Sequence, residues 1–320
     1  MKCSAIKVEH FFLTMKAVYV DWHLPRKMKG VEIPVKKHWE VVMIIRTTYF
    51  SREINGFSPV LYCDQATYDY YESLDLIKHF DEVFPVLPND PEEIDFDPTV
   101  FWAAAKFLAI EKCDSPFIMI DLDAEIRFKI NPENHEAFFA HYEMVREDDI
   151  NFYPPPEFLD KSGFLESRHG IEWSDVAINT SIIYFKDLSL AKEFATSALE
   201  FMKNIEEIDL SFDSVSYILL VEQRLAYELC KMRGIDVGTL ISGIYIPREA
   251  RDGKEPEFID SDVNEVSERG FLHIWGYKKA LNADPRLEEK LLGDLISSRL
   301  ELKEDIIGSI SKNFEIYMNK

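Results

Sequence analysis

Cysteine, positive charge and long apolar runs are all scarce in this 320-residue sequence. The four cysteines, Cys3, Cys63, Cys113 and Cys230, contain no C-x-x-C pair, which argues against a cysteine zinc site or a disulfide framework and favours the cytoplasm. Because no apolar run reaches the length of a membrane span and no signal-peptide core is present, we expect neither a transmembrane segment nor secretion. A formal net charge of −22 also argues against nucleic acid or anionic membrane as a partner.

The composition that remains is that of a globular protein with a large core, since 47% of the residues are hydrophobic and 13% are aromatic. Apolar periodicity predicts strands at 7–20, 58–63 and 82–87, and helices at 38–55, 65–80, 99–112, 134–146, 188–204 and 213–233. Strands and helices that alternate in this way through residue 126 predict an α/β fold with a largely parallel sheet. After Pro285 the periodicity is helical to the end.

Residues 117–126, Phe-Ile-Met-Ile-Asp-Leu-Asp-Ala-Glu-Ile, are the stretch on which a functional prediction depends. Four apolar residues end at Asp121 and Asp123, which is typical of a buried central strand that delivers two carboxylates to the sheet edge. On an extended chain the two side chains point the same way, with their Cα atoms about 6 to 7 Å apart. Paired carboxylates suit one Mg²⁺ or Mn²⁺ ion, whose other ligands come from water and substrate phosphates.

The acid-x-acid tripeptide is not rare in so acidic a chain. With 58 acidic residues in 320, about ten such tripeptides are expected by chance. A solvated strand end is therefore the alternative interpretation of Asp121 and Asp123. Their position after an apolar strand favours a metal or phosphate site, because few structural reasons place two carboxylates there.

Four motifs in a fixed order give the chain a resemblance to a known family. They are the strand and D-x-D of Phe117 to Asp123, the turn Ala177-Ile178-Asn179-Thr180-Ser181, the pair Glu222-Gln223, and His273-x-Trp275-Gly276-x-Lys278-Lys279. Their order over about residues 5–280 resembles that of GT-A type nucleotide-sugar glycosyltransferases. The resemblance implies a GT-A, Rossmann-like α/β fold with a mixed, mostly parallel sheet flanked by helices.

The resemblance also implies a metal-dependent glycosyltransferase that moves a sugar from a nucleotide-diphosphate donor to a glycan or other small acceptor. A divalent ion would neutralise the diphosphate leaving group, and Asp121, Asp123 and His273 would hold it. Mn²⁺ is preferred to Mg²⁺ because one ligand is an imidazole. The alternative for His273 is an ordinary core or edge histidine on a strand.

Further residues match positions that the family uses for its substrates. At the donor these are Asp64, Lys106, Leu122, Lys278 and Lys279, and around the transferred sugar and acceptor they are Asp175, Asn179, Glu222 and Gln223. The lysines would donate charged hydrogen bonds to the diphosphate, and Asp64 would meet the base or ribose. The alternatives are a helix cap for Asp64 and solvated lysines. Whether transfer is retaining or inverting stays open.

Two other functions compete with transfer. An apolar strand followed by D-x-D also begins haloacid-dehalogenase-like phosphatases, but Ala124 and Glu125 depart from that family's pattern. A GT-A scaffold that binds without turnover is the second alternative, since fold does not fix function. For domain organisation, we expect a catalytic domain at 1–280 and a helical tail at 281–320 that packs on that domain or forms a homodimer.

Overall fold

The computed structural model describes residues 14–145, 153–205, 207–209, 211–246, 257–259, 270–274, 278, 281 and 284–318. Its strands are β1 (Lys16–Asp21), β2 (Ser58–Cys63), β3 (Glu82–Pro85), β4 (Phe117–Ile120), β5 (Ala124–Ile126), β6 (Ala137–Phe139), β7 (Tyr142–Met144), β8 (Val176–Ile178), β9 (Ile182–Phe185), β10 (Val237–Thr239), β11 (Ile244–Ile246), β12 (Glu257–Ile259) and β13 (Phe271–His273). Its α-helices are α1 (Leu24–Met28), α2 (His38–Glu53), α3 (Gln65–Ser73), α4 (Ala104–Lys112), α5 (Pro156–Leu159), α6 (Phe164–His169), α7 (Leu188–Asn204), α8 (Ser214–Leu219), α9 (Leu225–Met232), α10 (Pro285–Ser297) and α11 (Lys303–Met318).

The central sheet has seven strands in the order β10-β6-β9-β4-β1-β2-β3. The pairs β1–β2, β1–β4, β2–β3 and β6–β10 are parallel, whereas β9 runs antiparallel to both β4 and β6. Helices cover both faces of the sheet and form two apolar clusters, which together contain most of the core. This confirms the predicted α/β class and its mixed, mostly parallel sheet, and it is consistent with a GT-A-like fold.

Strand β4 is the centre of this arrangement, because all four of its residues are buried. A strand that is covered by helices on both faces needs apolar side chains on both sides, which explains its unbroken Phe-Ile-Met-Ile sequence. Asp121 follows directly, and its N–H donates to the Ser181 carbonyl at 2.9 Å. The N–H of Ala124 donates to the Asp121 carbonyl at 2.9 Å, so the D-x-D segment is a turn and not the extended chain that we predicted.

The predicted helix at 134–146 is wrong. Its described part contains β6 and β7, and Arg146 lies outside the described residues. The apolar residues of this segment fit a helical period, but pairing of β6 with β9 and β10 decides the structure. Of the predicted first strand, residues 7–13 also lie outside the described part of the chain.

Helices α10 and α11 at the C-terminal end pack against α2. The Arg46 guanidinium of α2 donates from Nη1 to the Leu295 carbonyl at 2.5 Å, and the Asn313 amide donates to the Lys36 carbonyl at 3.0 Å. The helical C-terminal end is thus confirmed, and it lies on the same domain as β1 to β4. The domain boundary at 280 and a homodimer through these helices stay predictions. In the part of the chain that the structure describes, no helix is long and apolar enough to cross a membrane.

Candidate functional site

A cleft of about 580 Å³ opens at the ends of β1 and β4. Nine of the residues selected from sequence line it: Lys106, Asp121, Leu122, Asp123, Asn179, Glu222, Gln223, His273 and Lys278. They come from segments that lie far apart in sequence, and the sheet topology brings them together. In open α/β sheets, the carboxyl ends of strands are where ligands collect.

His273 reaches the two aspartates through strand pairing. β13 pairs with β5 in antiparallel register, and this places His273 opposite Ala124, the residue that follows Asp123. The Ile274 N–H donates to the Asp123 carbonyl at 3.2 Å and extends the pairing by one residue. His273 Nε2 consequently lies 4.0 Å from Asp121 Oδ2 and 3.9 Å from Asp123 Oδ1.

These three side chains have the spacing of a divalent cation site. One ligand atom from each of Asp121, Asp123 and His273 lies within 4.8 Å of the others. An octahedral ion with bonds of about 2.1 Å places neighbouring ligand atoms about 3.0 Å apart and opposite ones about 4.2 Å apart, so movements of about 1 Å would bring His273 and the two carboxylates onto one ion. Two carboxylates and one imidazole are a donor set that suits Mn²⁺.

Burial keeps His273 in the form that binds metal. Loss of hydration lowers its pKa to about 4, although the neighbouring Asp123 and Asp121 carboxylates act in the opposite direction. Neutral imidazole has a lone pair for a metal, whereas imidazolium does not. His273 is therefore ready to act as a ligand over the whole neutral range.

Lys106 of α4 joins the first aspartate to Glu222. Its Nζ lies 2.7 Å from Asp121 Oδ1, donates to the Thr180 carbonyl at 3.1 Å, and forms a short hydrogen bond with Glu222. Burial alone would lower the pKa of Lys106, but the Asp121 and Glu222 carboxylates outweigh burial and raise it above its ordinary value. Lys106 is thus a permanent positive charge on the floor of the cleft.

Lys278 pairs with the second aspartate in the same way. Its Nζ lies 2.7 Å from Asp123 Oδ2, and its side chain is 49% exposed at the mouth of the cleft. Burial raises the pKa of Asp123, but the ammonium group of Lys278 acts in the opposite direction and the pKa is lowered, so that the carboxyl stays ionised. Each aspartate therefore has one lysine within contact and shares one histidine.

Glu222 and Gln223 both reach the cleft although they are neighbours in sequence. Consecutive side chains on an α-helix point about 100° apart, so both would not normally face one cavity. Here, Leu220–Arg224 form a π-helical turn between α8 and α9, and such turns are frequent at functional sites. The side chain of Asn179, just after β8, is fixed by a local hydrogen bond, because its Oδ1 accepts from the Ser181 N–H at 3.1 Å.

Three predicted residues lie elsewhere. Asp64 is 2% exposed and caps α3 by accepting from the Thr67 N–H at 2.9 Å, while its other oxygen accepts from the N–H groups of His23 and Leu24. The helix-cap alternative thus describes the geometry of Asp64. Asp175 is exposed and outside the lining of the cleft, and Lys279 lies outside the described residues.

The cleft also contains residues that the sequence reasoning missed. Asp21 at the end of β1 pairs with Lys36 at 2.8 Å and accepts from the Tyr71 hydroxyl at 2.7 Å. The strand-then-acid pattern that selected Asp64 and Asp121 was present at Asp21 too and would have found it. Glu143 of β7 had no such signal, since its segment was predicted to be helical. The lining also includes the aromatic or charged side chains of Trp22, Arg26, Lys36, Trp39, Glu40 and Trp102.

Comparison with known proteins gives a family. Residues 86–296, more than half of the chain, match DUF6734, which is described as a family of unknown function. The chain belongs to this family. The matched region of this DUF6734 member contains both aspartates, Glu143, Glu222 and His273. No curated protein matches the sequence.

Several solved structures are similar to this DUF6734 protein in part. The apo structure of the bifunctional glycosyltransferase WbbM has a TM-score of 0.39 and 10% identity over 72% of this chain, which spans 39% of the WbbM chain. The glycosyltransferase PaToxG has a TM-score of 0.37 and 9% identity over 68% of this chain and 69% of its own. A nucleoside-diphosphate-sugar pyrophosphorylase from Vibrio cholerae RC9 has a TM-score of 0.33 and 11% identity, with coverage of 72% and 91%.

Proposed function

We propose that the cleft binds a nucleotide-diphosphate sugar with a divalent cation and transfers the sugar to a glycan or another small acceptor. The observation that carries the proposal is the meeting of Asp121, Asp123 and His273, which come from two separate segments and place three ligand atoms within 4.8 Å. Mn²⁺ is the cation that this donor set favours, with Mg²⁺ as the alternative. Beside these ligands, Lys106 and Lys278 supply two ammonium groups.

The chemistry of transfer explains why these residue types are needed together. When the bond between sugar and phosphate breaks, negative charge develops on the diphosphate, and a bound divalent ion stabilises that charge. Asp121, Asp123 and His273 would hold the ion. Lys278 at the mouth of the cleft would donate to the diphosphate, since an ammonium group forms its strongest hydrogen bonds with anionic oxygen.

The deeper part of the cleft is suited to a sugar. Lys106, Asn179, Glu222 and Gln223 together present donors and acceptors, as a polyhydroxylated ring requires. Trp102 lines the cleft with 46% of its surface exposed, in the turn that precedes α4. An aromatic face of this kind offers apolar contact area next to polar groups.

A thermal-shift panel tests the proposal. Uridine, guanosine, cytidine and thymidine diphosphates and their sugars are each added with and without Mn²⁺. A ligand at 100 times its dissociation constant stabilises the fold by about 2.7 kcal/mol, which moves the melting temperature by several degrees. We expect a shift that requires both Mn²⁺ and one class of nucleotide, and that is lost in Asp121→Asn and Asp123→Asn.

The control is Asp95→Asn, which removes an exposed carboxylate outside the cleft and should leave the shift unchanged. No shift with any nucleotide would refute the proposal. A shift with inorganic phosphate and Mg²⁺ alone would favour a phosphatase. Metal-dependent nucleotide binding with no release of sugar to any acceptor or to water would favour a binding protein on a transferase scaffold.

A further inference from the structure

Glu143 is a buried carboxylate beside the proposed sugar site. It belongs to β7, lines the cleft and is 1% exposed. Its Oε1 accepts from the Asn179 amide at 2.8 Å, and its Oε2 accepts a short hydrogen bond from the Tyr153 hydroxyl, which also contacts Gln223. These hydrogen bonds fix Glu143 next to Asn179 and Gln223, which line the same cleft.

The partners of Glu143 differ in charge from those of four other carboxylates in the cleft. Asp21, Asp121 and Asp123 each have a lysine ammonium within 2.8 Å, and Glu222 contacts Lys106. In the described part of the chain, the groups that contact Glu143 are an amide and a phenol, and no lysine or arginine pairs with it.

The histidine beside Glu143 does not supply a positive charge. His141 Nδ1 lies 3.9 Å from Glu143 Oε1, and burial lowers the pKa of His141, so that the ring is neutral at neutral pH. Burying a carboxylate without a paired cation lowers the stability of the fold. Such a group is a candidate for a functional role.

We infer that Glu143 is the general base of the proposed transfer reaction, an inference that rests on the proposed function. A carboxylate paired with an ammonium is a weak base, because the pair favours its charged form. Glu143 has no such partner among the described residues, and the hydrogen bonds from Asn179 and Tyr153 fix its orientation, as a general base requires.

Glu143 takes the proton of the acceptor hydroxyl while that oxygen forms a bond to the anomeric carbon of the sugar. The bond from this carbon to the phosphate oxygen breaks, and its electron pair stays on the diphosphate. With water as acceptor the same step is hydrolysis of the donor. The assignment makes the reaction a direct displacement, with inversion at the anomeric carbon.

The experiment measures release of nucleoside diphosphate from UDP-glucose, GDP-mannose, CDP-glucose and dTDP-glucose in the presence of Mn²⁺, with water as acceptor. Glu143→Gln keeps the size of the side chain and one hydrogen-bond acceptor oxygen, but it cannot take the proton of the acceptor. We expect kcat to fall by about 100-fold or more with donor binding within twofold of the wild type. The acid limb of the pH–rate profile should disappear, and formate should restore turnover to Glu143→Ala.

Glu228→Gln is the matched control, because Glu228 is also 1% exposed but accepts from Ser174 and lies outside the cleft. It should keep wild-type kcat per folded molecule. If Glu143→Gln turns over donor within threefold of the wild type, or if formate fails to rescue Glu143→Ala, the assignment is wrong although the proposed function stands. A wild-type chain that binds no nucleoside diphosphate overturns both.

Discussion

Replacing Lys278 by methionine is expected to strengthen the binding of Mn²⁺ and to weaken the binding of nucleoside diphosphate. The Lys278 ammonium lies 2.7 Å from Asp123 Oδ2, on a carboxylate that the proposed ion also needs. In the absence of nucleotide, lysine and metal therefore compete for one anion. Once a diphosphate is bound, the same lysine has a new anionic partner and favours the complex.

The size of the effect follows from the exposure of the pair. The Lys278 side chain is 49% exposed, so solvent screens its interaction with Asp123, and a screened ion pair is worth about 1 kcal/mol or less. Removing this competitor should lower the Kd for Mn²⁺ by up to about fivefold, since 1.4 kcal/mol corresponds to a factor of ten. The lost hydrogen bond to phosphate, about 1.5 to 3 kcal/mol, should raise the Kd for nucleoside diphosphate by more than tenfold.

The two affinities are measured separately, Mn²⁺ by electron paramagnetic resonance of the free ion and nucleotide by calorimetry at saturating Mn²⁺. Lys231→Met is the matched control, because Lys231 is 45% exposed, contacts Glu228 at 3.2 Å and lies outside the cleft. It should change neither constant. If Lys278→Met weakens Mn²⁺ binding, or leaves both affinities as they were, the reasoning about competition is refuted.

Three further changes test stability by urea or thermal unfolding. Arg46→Met removes the buried partner of Glu125, a carboxylate that is 0% exposed and bonded to Arg46 at 2.7 and 2.9 Å. Because Arg127 still contacts Glu125 Oε1, the cost should lie at the low end for a broken buried pair, about 3 kcal/mol, and a cost under 1 kcal/mol would contradict this. Asp64→Ala should cost about 2 kcal/mol and leave nucleotide affinity of the folded protein unchanged, whereas a selective loss of affinity would restore its predicted donor role. Burial lowers the pKa of His79 from 6.5 to about 4, so the unfolded chain binds the extra proton in that window and stability falls as pH falls. His79→Gln should reduce this slope by up to about 1.4 kcal/mol per pH unit, and an unchanged slope would exclude His79 as its source.

Local sequence predicts much of this fold because several elements have strong signals. The strand at 58–63 and the helix at 188–204 have the predicted bounds, since an apolar run before an acid and a long helical period leave few alternatives. The segment at 134–146 shows where such signals end. Its apolar spacing suits a helix, but β6 pairs with β9 and β10, and β7 pairs with β8 and β11, so that the segment forms two strands.

That error has a direct consequence for the candidate site. A residue on a helix and a residue on a strand point in different directions, so a wrong element hides any functional side chain that it carries. Glu143 was missed for this reason, while Asp121 and Asp123 were found because their strand was identified correctly. Asp175 was selected because it lies near the turn at 177–181, but its side chain is exposed to solvent.

The charge balance of the cleft indicates how a chain of net charge −22 would bind the proposed diphosphate. Six acidic residues line the cleft, Asp21, Glu40, Asp121, Asp123, Glu143 and Glu222, against four basic ones, Arg26, Lys36, Lys106 and Lys278, and His273 is neutral. The basic side chains alone therefore do not give the cleft the positive charge that a polyanion requires. A divalent cation offsets the excess of acidic groups, so nucleotide binding should require the metal, and by linkage nucleotide should tighten metal binding by the same factor. Nucleotide affinity that is equal with Mn²⁺ and with a chelator would show that the aspartates and the nucleotide do not share an ion.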